Sequence, residues 1–321
     1  MSTTLGLVGL PNAGKSTLFN ALTAAHAAVA PYPFTTTDRN VGVAQVEDQR
    51  LTALAACLKP QRVIPTGIEF VDIAGLVKGA AEGEGLGNKF LAHIRDVDAI
   101  VEVVRVFEDE SVVHVDGRPN PERDIAVLET ELILKDMESI EKALEKAAKD
   151  AKTGDKKTLL RLEELKKLQT ELASGKKAWE GAENLLTAKP ILYCFNSQEE
   201  NQALKEKFPN SVFLNLKKEL EEEEKLPELA REAYRLLGLI TFFTTGEDET
   251  RAWTIPKGSK APRAGRAIHG DFEEKFIKAS VISYEKLVEA GSLAKAREAG
   301  WLRTEGKEYL VQDGDVIEFK I

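Results

Sequence analysis

Eight residues near the amino terminus have the types and spacing of a phosphate-binding loop. Gly9 to Ser16 fit the pattern G-x-x-x-x-G-K-[ST], between an apolar run that begins at Leu5 and a helix-like stretch. Backbone N–H groups of such a loop surround phosphates, and the positive end of the following helix favours their charge. Lys15 can reach the β- and γ-phosphates, and the Ser16 hydroxyl can bind Mg²⁺. The pattern predicts a nucleoside triphosphate site formed by Asn12, Ala13, Gly14, Lys15, Ser16 and Thr17.

Two later segments can supply groups for the γ-phosphate and its metal ion. Asp72-Ile73-Ala74-Gly75 ends an apolar run. The Asp72 carboxylate can then bind Mg²⁺ through a water molecule, and the N–H of Gly75 can lie near the γ-phosphate. A proline-restrained loop from Pro31 to Thr37 carries three threonine hydroxyls, one of which can complete the Mg²⁺ shell. The alternative for Asp72 is an ordinary polar residue at the end of a strand.

Short apolar runs separated by longer helical stretches must position these residues. Such alternation predicts an α/β fold, in which a mostly parallel sheet has helices on both faces. The predicted strands are Leu5–Gly9, Ile68–Ile73, Ala99–Val106, Pro190–Phe195 and Val212–Leu214, and the predicted helices include Lys15–Thr23, Glu84–Asp96 and Leu226–Leu237.

A segment of different composition, rich in Glu, Lys, Leu and Ala, separates the third and fourth of these strands. Its apolar residues recur at spacings of three and four, which predicts one stripe on each of two helices. We expect a helical hairpin at 128–180, inserted into a nucleotide-binding domain formed by 1–127 and 181–238. Its charges form either a solvated face or an arm that binds a partner. The two stripes are Ile133, Met137, Ile140, Leu144, Ala147 and Ala151, then Leu162, Leu165, Leu168 and Leu172.

The last part of the chain, residues 239–321, has the pattern of a small strand-rich α+β domain. Ile240 to Thr245 is typical of a strand. Two β-like runs, 308–312 and 316–319, flank Asp313-Gly314-Asp315 and predict a hairpin.

Composition limits the setting of the protein. The net charge of −9 and pI near 5.3 argue against a surface that is basic throughout, but a local basic patch stays possible. Cys57 and Cys194 lack metal-ligand spacing, which favours core thiols in a reducing compartment. The chain shows neither a secretory signal pattern nor an apolar stretch long enough for a bilayer. We therefore expect a cytoplasmic protein that does not bind membranes.

Four motifs resemble those of the Obg-like GTPases, and the chain as a whole is similar to their YchF/Ola1 subfamily. The resemblance implies that Thr36 binds Mg²⁺ and that residues 72–87 form a mobile second switch. It also implies a TGS domain of the β-grasp type at 239–321. The motifs are G-L-P-N-A-G-K-S from Gly9, Y-P-F-T-T from Tyr32, D-I-A-G-L-V-K-G-A from Asp72 and G-E-G-L-G-N-K-F from Gly83.

The residues expected to contact the base depart from the usual N-K-x-D motif. Here the strand that ends at Phe195 runs into Asn196-Ser197-Gln198-Glu199, so the lysine and the aspartate are both missing. Selectivity for guanine should be weak. The YchF/Ola1 subfamily has this N-x-x-E variant and uses ATP at least as well as GTP, which implies base contacts by Asn196 and Glu199. Leu216 is a further candidate contact, and an ordinary polar pair in a loop is the alternative for Asn196 and Glu199.

The catalytic group is also unusual. Leu76 occupies the position after D-x-x-G at which many GTPases have a water-orienting glutamine. The H-V-x-G pattern at His114 resembles that of YchF-like proteins and implies that this histidine is catalytic. Lys15 is the other catalytic candidate. A histidine hydrogen-bonded within a loop is the alternative. Asn12 can help to bind K⁺ near the phosphates, as asparagine does in P-N-x-G-K-S loops.

Basic residues beside Trp253 suggest a nucleic-acid contact in the last domain. Arg251, Lys257, Lys260, Arg263 and Arg266 can neutralise phosphates while an exposed Trp253 stacks on a base, or they belong to a solvated loop. Two functions are therefore expected. The chain is either an Mg²⁺-dependent ATPase switch, with GTP as a second substrate, or a non-catalytic module that binds ribosomes or RNA. In both cases the partners are ATP or GTP, and ribosome or RNA through the TGS and helical domains, and the chain is expected to be a monomer.

Overall fold

The protein alternates strands and helices in a computed structural model that describes residues 3–24, 41–73, 86–109, 112–115, 117–179, 182, 185–222, 226–246 and 248–321. Its strands are β1 Thr4–Val8, β2 Val41–Gln45, β3 Arg62–Ile64, β4 Gly67–Asp72, β5 Ala99–Arg105, β6 Ile191–Asn196, β7 Ser211–Leu214, β8 Leu239–Thr245, β9 Glu249–Pro256, β10 Lys278–Ser283, β11 Arg303–Glu305 and β12 Asp315–Lys320. Its α-helices are α1 Lys15–Ala24, α2 Gln49–Leu58, α3 Leu86–Arg95, α4 Pro121–Asp150, α5 Lys156–Ala173, α6 Gln202–Lys207, α7 Leu216–Glu222, α8 Leu226–Leu236, α9 Ala261–Arg266, α10 Gly270–Glu274, α11 Tyr284–Ala290 and α12 Leu293–Glu298.

The first sheet has the strand order β2-β4-β1-β5-β6-β7. β1 pairs in parallel with β4 and β5, and parallel pairing continues from β5 to β6 and from β6 to β7. Every residue of β5 and β6 is buried, as expected where helices cover both faces. The predicted mostly parallel α/β sheet is confirmed. The carboxyl ends of these parallel strands lie at one edge, where ligands of open α/β sheets bind.

Helices α4 and α5 form the predicted helical hairpin. The Asn120 side chain accepts a hydrogen bond from the N–H of Arg123 and caps α4, and the Asp155 side chain caps α5 in the same way. The two predicted stripes meet in one apolar cluster, so their period is confirmed. α4 begins at Pro121, earlier than the predicted hairpin. Buried members of the cluster are Ile140, Ala147, Leu165, Leu168, Leu172, Ala178, Ala182 and Leu185.

The chain divides into two compact units. One comprises Thr3–Val43 and Glu69–Leu229, and the second comprises Ala44–Ile68 and Ala230–Ile321. Sequence patterns had assigned residues 44–68 to the nucleotide-binding part. In the structure, Leu51 and Leu54 of α2 pack with Phe243, and β3 pairs in parallel with β9. No local pattern marks such pairings between distant segments, and the boundaries expected at 128, 181 and 239 stay predictions.

The second sheet has the order β11-β10-β12-β8-β9-β3. β12 pairs antiparallel with β10 and parallel with β8. The predicted hairpin around Asp313-Gly314 is therefore wrong, since residues 308–312 form only an isolated bridge between Leu310 and Lys260. The turn is bound to β8 instead, because Thr241 donates its N–H to Asp313 Oδ1 (2.9 Å) and accepts the N–H of Gly314 (2.8 Å).

Candidate nucleotide-binding site

The predicted phosphate loop connects β1 to α1 and is pressed against two neighbouring strands. Gly9 has φ +155°, and a Cβ there would lie 2.5 Å from the carbonyl oxygen of Val103 in β5. Gly14 has φ +107°, and its Cβ would lie 2.6 Å from Nδ2 of Asn196. Both positions therefore require glycine, for backbone angle and for space. The loop leads directly into the first turn of α1, whose N–H groups have no partners within the helix.

Lys15 faces Asp72 at the edge of the sheet. Lys15 Nζ lies 3.8 Å from Asp72 Oδ1, and both side chains are largely buried. This oxygen makes no hydrogen bond to any described residue. Burying an unbonded carboxylate oxygen is costly unless another group satisfies it. The Asp72 carboxylate and the Ser16 hydroxyl are oxygen groups of the kind that Mg²⁺ binds, and Mg²⁺ keeps several waters and binds few protein groups.

Asn196, at the end of β6, holds the phosphate loop from the other side. Its Nδ2 donates to the Ala13 carbonyl (3.1 Å), and its Oδ1 accepts the N–H of Leu216 (3.4 Å). The side chain is buried. Both polar atoms of Asn196 thus bind protein, so the residue organises the site and joins the loop to the start of α7.

A cavity of about 540 Å³ opens above these groups. It is large enough for a nucleotide. Of the predicted residues, Asp72, the buried Ala13 and the exposed Glu199 do not line the cavity. Thr36, Gly75, Leu76 and most of the predicted second switch at 72–87 lie outside the described residues. The predicted residues that line the cavity are Asn12, Gly14, Lys15, Ser16, Thr17, Asn196 and Leu216.

Sequence reasoning missed the wall that follows β5. This wall consists of Phe107, Glu108, Asp109 and Val112. Three residues from later segments also line the cavity: Ser197, Gln198 and Lys217. Arg105 organises this segment, since its guanidinium is buried and donates to the carbonyls of Phe107 (3.0 Å), Asp109 (3.1 Å) and Val112 (2.9 Å). It also lies over the Phe107 ring. The only available sign was an arginine at the end of a mostly apolar run.

His114 follows this wall but does not line the large cavity. Its side chain is 4% exposed, and Nε2 lies 3.1 Å from Oδ2 of Asp124, which is equally buried. The phosphate loop contacts the adjacent residue, because Asn12 Nδ2 donates to the Val113 carbonyl (2.9 Å). His93 is half-buried in α3, and His269 is exposed in the second unit.

A buried carboxyl group lies in β5 beneath the site. Burial and the charge of Glu129 raise the pKa of Glu102 well above its ordinary value, Asp124 adds to the rise, and Lys177 opposes it. Burial in β5 thus favours the protonated form of Glu102. In the adjacent strand, burial raises the pKa of the Cys194 thiol to about 12, which agrees with an inert core thiol.

The basic cluster of the second unit differs from expectation. Trp253 is half-buried rather than exposed, because its ring packs against the core and its Nε1 donates to Thr244 Oγ1 (2.8 Å). Arg251 lies over the ring at 4.2 Å. Among the other cations, Lys260 pairs with Glu308, and Arg266 pairs with Glu273 at 2.9 Å. The surface is less basic than the sequence suggested.

Comparison with known proteins finds family models for two parts of the chain. Residues 4–152 match a family model described as a 50S ribosome-binding GTPase, and residues 239–321 match the carboxyl-terminal model of YchF GTPases, described as a protein of unknown function. The ribosome-binding ATPase YchF of Bacillus subtilis is 47% identical to this chain, over 100% of the chain and 99% of that protein. The chain belongs to the YchF family. Its counterpart from Pasteurella multocida is 43% identical over 98% of each.

The fold supports the same assignment. The structure of the Schizosaccharomyces pombe YchF GTPase superposes with a TM-score of 0.86 and 34% identity, covering 99% of this chain and 98% of that one. The expected membership of the YchF/Ola1 subfamily is thereby confirmed, as is the class of P-loop nucleoside triphosphatase.

Neither a membrane-spanning helix nor a cluster of metal-ligating residues is present among the described residues. None of the helices found there combines the length and the apolar character needed to cross a membrane. Within the same ranges, no three or more His, Cys, Asp or Glu residues are grouped as a metal site.

Proposed function

We propose that this YchF protein hydrolyses ATP, and GTP as a second substrate, to the diphosphate and phosphate. The observation that carries the proposal is the approach of Lys15 Nζ to Asp72 Oδ1, 3.8 Å apart, at a cavity of about 540 Å³ formed by the phosphate loop. Lys15 would stabilise charge on the β- and γ-phosphates, and the helix terminus would add N–H donors. The chain thus carries the positive groups that phosphoryl transfer needs.

The walls of the cavity support adenine as the base. In N-K-x-D proteins the aspartate accepts hydrogen bonds from guanine, but the Glu199 that stands at its place is exposed and outside the cavity lining. Ser197 and Gln198 line this wall instead, opposite the apolar side chain of Leu216. A site without a fixed acceptor for guanine loses the large discrimination that buried polar groups provide. We therefore expect ATP to bind no more weakly than GTP.

Hydrolysis would begin with in-line attack of a water oxygen on the γ-phosphorus. The bond from that phosphorus to the bridging oxygen breaks, the diphosphate leaves, and the water proton passes to a base. His114 is the base that we assign, because Leu76 occupies the sequence position of the usual glutamine. His114 must move for this role, since it is buried against Asp124.

Two cations belong to the proposal. Ser16, Thr36 and, through water, Asp72 would hold Mg²⁺, which neutralises charge on the phosphate oxygens when bound. Asn12 would hold K⁺ through its side-chain oxygen, since its nitrogen already donates to Val113. Turnover in KCl and NaCl tests the K⁺ assignment, and equal rates would remove it.

The ribosome is the proposed setting, with the protein acting as a cytoplasmic monomer. The support is that relatives covering nearly the whole chain are named ribosome-binding, and that the amino-terminal match carries the same description. The helical hairpin also exposes apolar side chains at the start of α5, Leu159 and Leu160. Exposed apolar groups at the end of an arm favour contact with a partner. Loss of the γ-phosphate would reset the protein by releasing Thr36 and Gly75.

Phosphate release from ATP, with and without ribosomes, tests the activity. Lys15→Ala should lower turnover by at least about 100-fold, because it removes a charge aimed at the phosphates. The control Lys166→Ala removes an exposed lysine of α5 and should leave turnover unchanged. Turnover that survives Lys15→Ala would contradict the proposal.

The second candidate function is a non-catalytic module that binds ribosomes or RNA and uses nucleotide as a conformational ligand. Cosedimentation with ribosomes in ATP, in ADP and without nucleotide separates the two. The ATPase switch predicts binding that depends on the nucleotide. Nucleotide-independent binding by a protein without turnover would favour the module.

A further inference from the structure

The segment that carries His114 is held from three sides in this structure. Arg105 binds the carbonyl of Val112, Asn12 of the phosphate loop binds the carbonyl of Val113, and Asp124 in the first turn of α4 binds the imidazole of His114. Two of these contacts reach the backbone, and the third is the only one of the three that binds the histidine side chain.

The burial of the side chains in this segment is the reverse of what their residue types usually show. Val113 and Val115 are 77% and 54% exposed, whereas the polar His114 between them is buried. Valine is commonly buried and histidine is intermediate, so the exposed valines need a compensating contact. The hydrogen bond between His114 Nε2 and Asp124 Oδ2, at 3.1 Å, supplies it.

Asp124 is itself fixed. Its Oδ2 also accepts the N–H of Asn120 (3.2 Å), and its Oδ1 accepts two N–H groups of Arg123 (3.2 and 3.0 Å). A carboxylate with this many donors has a single orientation, so the position it gives to His114 is well defined.

His114 does not line the nucleotide cavity. Its side chain lines a separate cavity of only about 10 Å³ behind the phosphate loop, with Ala13, Glu102 and Asp124. The large cavity is lined by Val112 but not by His114. In this position the imidazole lies outside the lining of the nucleotide cavity.

We propose that Asp124 is an autoinhibitory latch, a positioning residue that holds His114 away from the nucleotide and keeps basal hydrolysis slow. The inference rests on the proposed function, because it assumes that His114 promotes hydrolysis. Asn12 links the latch to the nucleotide, since one residue both lines the cavity and binds Val113. A nucleotide that moves Asn12 would loosen the segment and let His114 exchange Asp124 for the attacking water.

Asp124→Ala tests the latch through turnover. We expect kcat for ATP to rise about tenfold, equivalent to ~1.4 kcal/mol, with no change in the Kd for ATP. Asp124→Ser is the second variant, because its shorter side chain withdraws from His114 while it keeps a polar group at this position. Asp155→Ala is the matched control, which removes the cap of α5 and should leave kcat unchanged.

Chemical modification supplies a readout that is independent of activity. Diethyl pyrocarbonate should modify exposed His269 in every variant, whereas His114 should react only when Asp124 is replaced. The Asp124→Ala/His114→Ala double variant should hydrolyse ATP as slowly as His114→Ala. A higher rate would show that the gain does not come from the histidine and would overturn the latch.

Two other results decide between the latch and the proposed function. If His114→Ala abolishes turnover while Asp124→Ala and Asp124→Ser lower kcat or leave it unchanged, the latch is wrong and the catalytic role of His114 survives. A lowered kcat would make Asp124 a support for the imidazole. If His114→Ala hydrolyses ATP at the wild-type rate, the catalytic role fails and the latch fails with it.

Discussion

Asn196 holds the phosphate loop through a single amide, whose Nδ2 donates to the Ala13 carbonyl over 3.1 Å. The two residues lie 183 positions apart in sequence, and the same side chain accepts the N–H of Leu216. One side chain thus fixes both the loop that would bind phosphates and the segment that would face the base.

Asn196→Ala should weaken ATP binding on the order of tenfold, because each buried group left without a partner costs roughly 1–3 kcal/mol. Titration with a fluorescent ATP analogue measures the change. The control Asn201→Ala removes the side chain that caps α6, so it should lower stability by about 1 kcal/mol and leave ATP affinity unchanged. Wild-type affinity in Asn196→Ala would refute the role given to Asn196.

Asp136 in α4 is predicted to anchor the helical hairpin to the segment that precedes β6. Its fully buried carboxylate accepts the N–H groups of Leu186 and Thr187, both at 2.8 Å, and the Thr187 hydroxyl at 2.7 Å. Asp136→Asn replaces one acceptor with a donor and should lower the free energy of unfolding by about 3 kcal/mol in urea titrations. Asp155→Asn, in which asparagine caps α5 as well as aspartate does, should change it by less than about 0.5 kcal/mol. Equal stabilities of the two variants would contradict this account.

Glu102 should make stability depend on pH. Its pKa is raised above the ordinary value of 4.5 by burial and by Glu129 and Asp124, against the effect of Lys177. Between 4.5 and the raised pKa, the folded chain keeps a proton that the unfolded chain has lost. Stability therefore falls as pH rises through this window, by up to ~1.4 kcal/mol per pH unit.

Glu102→Gln removes this titration while keeping the shape of the side chain. The unfolding free energy of the variant relative to wild type should therefore increase as pH rises from 4.5 through the window in which only the folded chain keeps the proton. Urea titrations of both proteins at each pH give the difference. A difference that stays constant with pH would show that Glu102 is ionised in the folded protein.

The parts of the fold that were predicted depend on neighbours in sequence. The phosphate loop, the strands that follow one another in the first sheet and the two stripes of α4 and α5 are each visible within a window of about twenty residues. Gly14 and Lys15 could be assigned because one short motif fixes both the turn and the charge.

The parts that were missed depend on distant partners. β3 pairs with β9 across nearly two hundred residues, and Asn12 binds Val113 across 101. Arg105 resembled an ordinary residue at the end of a strand until the three carbonyls that it binds were known. The hairpin predicted at Asp313 failed for the same reason, because the turn is bound to Thr241 rather than joining neighbouring strands.

The central claim is that this cavity takes ATP at least as well as GTP, because Glu199 stands where a guanine-binding aspartate would be and does not line the wall. Equilibrium titration of the purified protein with ATP and with GTP, side by side in Mg²⁺ and K⁺, tests it most directly. We expect a Kd for ATP that is no higher than the Kd for GTP. Tighter binding of GTP by more than about tenfold, or ~1.4 kcal/mol, would contradict the claim.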